Sequence, residues 1–125
     1  MATRTRKDAA LDFLRLIVAG DVKGAYDKHV GDGFRHHNPY FPGDAASLMK
    51  GMMDDEAKNP GKKLDVRAAL EDGDFVAVHS RLQRPGGQDD IAVVHVFRFA
   101  HGRIAELWDI GQIVPKNAAN RHGMF

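Results

Sequence analysis

The chain contains no cysteine, which excludes disulfides, thiolate nucleophiles and every zinc site built on sulfur. It also lacks an apolar run near the roughly 20 residues that a membrane-spanning helix requires. No apolar stretch follows the basic residues of MATRTRKDAALDF, so no secretory signal is expected, and a reducing cytoplasm is the expected location. An excess of either charge is missing: 18 Lys and Arg against 17 Asp and Glu leave a formal charge of +1. That balance argues against the broad basic footprint of a nucleic-acid-binding domain; the local group Arg4, Arg6 and Lys7 is expected to be solvated. Nor is there a G-x-S-x-G or an H-E-x-x-H motif, and Gly86-Gly87 leads into a strand rather than the helix that a phosphate-cradling loop needs.

What remains is a chain of 125 residues, 43% of them hydrophobic, enough for one domain over 1–125 with its own core. Asp8 to Ala19 carries Ala10, Phe13, Leu14, Ile17 and Val18 at helical spacing. Gly20 stops this helix and Asp21 caps a second through Val22, Ala25 and Tyr26, until Gly31 and Gly33 break the pattern. Phe34-Arg35-His36-His37-Asn38-Pro39, followed by Tyr40-Phe41-Pro42-Gly43, reads as a short strand running into a turn-rich loop. Asp44 caps a third helix with the stripe Ala45, Leu48, Met49, Met52, Met53 and Ala57. Gly51 either weakens that helix or permits close packing against the sheet.

From Lys63 on, the pattern is strand and turn. Leu64–Leu70 and Phe75–Leu82 flank the turn Glu71-Asp72-Gly73-Asp74, and Asp90–Gln112 forms a long hairpin about Ala100-His101-Gly102-Arg103. The expected architecture is α+β: a cone-shaped, curved antiparallel sheet covered on one face by three N-terminal helices, with an open end suited to a small molecule.

Side chains alternate along strands. Ile91, Val93, His95, Phe97 and Phe99 therefore share one face of the hairpin's first strand, and Ala105, Leu107, Asp109 and Gly111 one face of its second. His95 and Asp109 are out of place in an ordinary core. Together in one concavity they make an acid/base pair, because an apolar surround disfavours a carboxylate's charge and strengthens it as a base. His95 would donate to a developing oxyanion or orient the carboxylate. The alternative is a buried aspartate that only accepts a structural hydrogen bond from a Trp, Tyr or backbone donor. His79 and Arg81 line the cavity only if their strand turns that face inward; with Val76, Val78 and Leu82 inside they point away. A metal held by His37, His79 and His95 is geometrically conceivable, but no ligand spacing supports it. Asn38 either hydrogen-bonds a ligand oxygen or forms an ordinary Asx turn.

His37-Asn38-Pro39 after two helices, then Val94–Phe99, Gly102–Asp109 and Gln112, resemble the SnoaL-like polyketide cyclases of the nuclear transport factor 2-like superfamily. The resemblance implies a cone of curved sheet closed by three helices, assembled through the sheet into dimers or higher oligomers. It implies a cofactor-free aldol condensation with Asp109 as acid/base, His95 as a pocket histidine and Asn38 as a polar contact. Val93 departs from the pattern, standing where the cyclases tend to carry a polar contact.

The expected function is a cofactor-independent enzyme acting alpha to a carbonyl of a small apolar ligand, through Asp109 and His95. Ligand contacts are expected from Asn38, His37, His79 and Gln112, with walls from Phe97, Trp108 and Met53. No metal, nucleic-acid or membrane partner is expected. The alternative is a non-catalytic ligand-binding or assembly module of the same fold.

Overall fold

The computed structural model describes residues 5–125; Arg4, one of the basic group above, lies outside them. In chain order the elements are α1 (Arg6–Val18), α2 (Val22–His29), β1 (Val30–His36), α3 (Ala45–Lys58), β2 (Lys63–Asp72), β3 (Phe75–Gln83), β4 (Ile91–Ala100) and β5 (Arg103–Ile113). Each helix starts on a side-chain cap. Thr5 accepts from the Asp8 N–H, Asp21 from Gly24 and Asp44 from Ser47, satisfying donors that have no partner within the helix. Asp21 and Asp44 are the expected caps, whereas Thr5 starts α1 two residues earlier than the apolar pattern indicates. Gly24 belongs to its cap: a Cβ there would lie 2.3 Å from the Asp21 carboxylate.

The sheet order is β1-β5-β4-β3-β2. Strands β2 to β5 form the expected antiparallel meander. The sheet is not wholly antiparallel, however, because β1 joins its edge parallel to β5. A parallel neighbour needs a long crossover, and the helix α3 and the meander lie between these two strands in sequence. The β4–β5 turn places His101 at φ 53° and Gly102 at φ 76°, the two positive dihedrals of a hairpin turn that matches strand twist.

Register divides the hairpin into two faces. Phe97 pairs with Leu107, His95 with Asp109 and Val93 with Gly111 on one side; Arg98 pairs with Glu106 and Val96 with Trp108 on the other. A bulge intervenes, since Phe99 pairs with Ile104 while Arg98 pairs with Glu106. Ala105 is the extra residue, so Ile104 rather than Ala105 shares the inner face with Leu107. On β3 the inner residues are Val76, Val78 and Ser80, all without exposure. That settles the strand's orientation, with His79 and Arg81 pointing outward.

The helices cover the inner face. Phe13 of α1 meets Phe97 edge-on at 5.9 Å, and Tyr26, Phe34, Phe99, Ile104 and Leu107 complete the closed end. Each such side chain contributes about 1.5–3 kcal/mol on burial. Burial then falls along β5, where Ile104 and Leu107 are covered, Asp109 is half-buried and Ile113 is exposed. On β4, Phe99, Phe97 and Val93 are covered while His95 and Ile91 are half-buried. Asp109 and His95 thus sit beside the packed core, each half-buried.

Candidate active site

His95 and Asp109 lie directly opposite each other on neighbouring strands, both on the inner face. The His95 ring rests on Phe97, 6.2 Å between centroids, and its Nδ1 is buried without a hydrogen-bond partner. Burial pushes this imidazole down to about 4, against the opposing pull of the Asp109 charge. It is therefore neutral at pH 7, with one N–H donor and one acceptor.

The Asp109 Oδ2 accepts a hydrogen bond from Asn38 Nδ2 at 3.0 Å. A short network fixes that amide. His36 Nε2 donates to the Pro42 carbonyl at 2.6 Å, so its Nδ1 is the acceptor for the Asn38 backbone N–H at 3.1 Å. The Asn38 Oδ1 accepts in turn from the Tyr40 backbone N–H at 3.0 Å. Asn38 therefore forms the expected Asx turn through Oδ1, while its Nδ2 is directed to Asp109. The loop is anchored beyond Tyr40 as well: a Cβ on Gly51 would lie 2.4 Å from the Phe41 ring. Gly51 permits a close approach, though to this loop rather than to the sheet.

Tyr26 joins this group although its helical spacing marked it only as core. It is 6% exposed, with its ring 5.5 Å from Phe13 and 6.2 Å from Phe34. Its hydroxyl meets Met52 Sδ at 3.4 Å. Burial, and then the Asp109 charge, hold the phenol above the ordinary tyrosine range. The available signal was a tyrosine, rather than a phenylalanine, on an inward stripe, since a buried phenol needs somewhere to direct its O–H.

Four expected ligand contacts lie on the outer face instead. His37 stacks on Trp108, 4.8 Å between centroids and 6° between planes, and donates to Glu106 Oε2 at 2.6 Å. His79 and Gln112 line an outer-face cavity of about 470 Å³ with Val94, Ile110 and Met124. The physical reason is alternation: these residues are one or three positions out of phase with Asp109 or its paired partners. Met53 is 47% exposed, whereas Leu48 of the same stripe is buried and Met49 and Met52 pack against the core. Phe97 is wholly buried and supports His95 from below. Because His95 faces inward while His37 and His79 face outward, the three cannot share an ion. No group of three or more metal-ligating side chains occurs among the described residues.

A similar fold occurs in a SnoaL-like polyketide cyclase from Agrobacterium tumefaciens, with TM-score 0.73, 15% identity and coverage of 88% of this chain and 93% of that one. An LEH-like epoxide hydrolase from M. tuberculosis gives 0.70 and 19%, covering 85% and 81%. An NTF2-like protein of unknown function from Cytophaga hutchinsonii gives 0.72 and 19%, covering 89% and 93%. At these identities the likeness concerns the fold, which hosts more than one chemistry. No curated protein matches the chain. The SnoaL-like domain model matches residues 10–107, from α1 into β5. With most of its length matched, the chain belongs to the SnoaL-like domain family.

Proposed function

We propose that the chain is a cofactor-independent acid/base enzyme that moves a proton alpha to the carbonyl of a small apolar ligand. Aldol closure, isomerisation and dehydration all begin with this step. Asp109 takes the proton, the C–H electron pair passes into the enolate, and the proton returns to carbon or oxygen. Neutral His95 steadies the carboxylate or donates to the oxyanion. Asn38 holds Asp109 in position, and the packed end of the cone excludes water, which strengthens each of these interactions.

The observation that carries this reading is the cross-strand pairing of His95 with Asp109 on the inner face, both half-buried. Acid/base pairs in apolar concavities are characteristic of sites that handle protons. The proposal takes residues 1–125 as one cytoplasmic domain. It assigns the outer face, with Phe75 46% and Ile110 65% exposed beside Trp108, to a homodimer contact.

Deuterium incorporation into 2-tetralone, an apolar ketone with acidic α-hydrogens, tests the chemistry. In D2O the protein is expected to accelerate exchange, and Asp109→Asn to lose about 10²–10⁴-fold of that acceleration, the range for one acid/base group. Binding of 2-tetralone with no exchange above the buffer rate would favour a non-catalytic ligand-binding module.

A further inference from the structure

Resting on that reading, we propose that Ser80 is a positioning residue: its hydroxyl, acting across one buried water, serves His95 Nδ1 and keeps the ring's proton on Nε2. Among the described residues, three buried side-chain polar atoms lack a hydrogen-bond partner: Glu56 Oε2, Ser80 Oγ and His95 Nδ1. Glu56 stands apart on α3, with Lys62 Nζ 3.5 Å from that oxygen. Ser80 and His95 stand together, on the inner face of neighbouring strands. Ser80 pairs with Val93 and His95 with Val78, which makes the two diagonal neighbours. A hydroxyl on a residue with no exposure, beside Val76 and Val78, costs about 1–3 kcal/mol if it stays unpaired. Alanine would avoid that cost, so the hydroxyl calls for a partner.

Diagonal neighbours on one sheet face lie about 7 Å apart, too far for a serine to reach an imidazole directly but within the span of one water. Buried waters characteristically join polar groups that are otherwise unsatisfied. Direction follows from the strand order. The two nitrogens occupy opposite corners of the imidazole, so with Nδ1 turned toward β3, Nε2 leans toward β5, where Asp109 stands opposite His95. A carboxylate only accepts hydrogen bonds, so the proton belongs on Nε2 and Nδ1 must accept. Its donor then comes from the β3 side, where Val78 has none and Ser80 has one. Which nitrogen of a neutral histidine carries the proton is set by the hydrogen bond that the other makes. The Nε2–H can then steady the Asp109 carboxylate or meet the ligand's developing oxyanion. With the proton on Nδ1, a lone pair would face both negative groups and do neither. Ser80 and the water pass no proton to the ligand.

Histidine nitrogen NMR of the full chain tests this, because long-range N–H couplings distinguish the two tautomers. In the unaltered protein His95 is expected to hold its proton on Nε2, and the Ser80 methylene to show a cross-peak to a bound water. Ser80→Ala, which removes only the hydroxyl, is expected to mix the tautomers and move the Nδ1 signal. Val78→Ala loosens the packing directly opposite His95 without removing a hydrogen bond, and is expected to leave the tautomer as it was. In the 2-tetralone assay Ser80→Ala should slow exchange roughly tenfold with ketone affinity unchanged, as for a misoriented reactive group. A proton on Nδ1 in the unaltered protein, no bound water at Ser80, or the same Nδ1 signal with and without the hydroxyl would overturn the assignment. The enzyme reading fails separately. A Ser80-dependent tautomer without deuterium exchange keeps the positioning and removes the reaction. Exchange with a Ser80-independent tautomer keeps the reaction and removes Ser80.

Discussion

Glu106 and Asp109 are acids three residues apart on β5, and the sheet separates them. On the outer face Glu106 takes hydrogen bonds from His37 at 2.6 Å and Arg98 at 3.0 Å, with Arg35 at 3.4 Å. The His37 contact, aided by the two arginines and opposed by burial, lowers its carboxyl to about 2. On the inner face Asp109 holds one neutral amide and faces a neutral imidazole. One carboxylate is saturated by two guanidinium groups and an imidazole N–H; the other is positioned but keeps capacity for a further partner. The histidines repeat this contrast, since both ring nitrogens of His36 are engaged while His95 Nδ1 has no partner. A site that binds and reacts is expected to look like the second member of each pair.

The largest effect expected on stability belongs to His95. Burial holds its native pKa down to about 4, below the ordinary histidine value of 6.5. Between those values the unfolded chain takes up a proton that the native state refuses. Stability is therefore full above pH 6.5 and falls toward pH 4, by at most roughly 3 kcal/mol. Urea unfolding at a series of pH values should show this limb, and His95→Phe should flatten it.

Glu106 titrates lower. Its native carboxyl is depressed from 4.5 to about 2, so its contribution is present above pH 4.5 and is lost as the pH falls toward 2. Glu106→Gln should cost about 1–2 kcal/mol at pH 7, as for loss of charge-assisted hydrogen bonds, and should remove this lower limb. Deuterium exchange should be largely unaffected. Asn38→Ala should show the opposite pattern, with stability changed by under about 1 kcal/mol and 2-tetralone exchange slowed roughly tenfold, since a misplaced reactive group is costly. Gly51→Ala should be mildest. Helix propensity gains up to about 1 kcal/mol and displacement of Phe41 offsets it, leaving a small net change with a shift in the Asn38 side-chain amide resonance.

The helices, the meander and the inner position of the His95–Asp109 pair were all legible in the sequence, because caps and period-two alternation are local signals. Strand β1 was harder to place. Its partner Leu107 is about 70 residues distant, and parallel pairing leaves no turn signature. That register is also what brings His37 beside Trp108 and Asn38 beside Asp109. A motif of adjacent polar residues cannot reveal which of them passes through to the other face. The Ala105 bulge shifted phase by one residue, which alternation alone cannot detect. Tyr26 was hidden because helical spacing identifies an inward stripe without showing where a phenol's oxygen ends.

The central claim is that the inner acid reacts and the outer acid only holds structure. The most direct measurement is the ratio of 2-tetralone deuterium-exchange rates in Glu106→Gln and Asp109→Asn, at a pH where both proteins are folded. The account predicts a ratio of about 10² or more, with Glu106→Gln close to the unaltered protein. A ratio near one, or greater loss in Glu106→Gln, would contradict it.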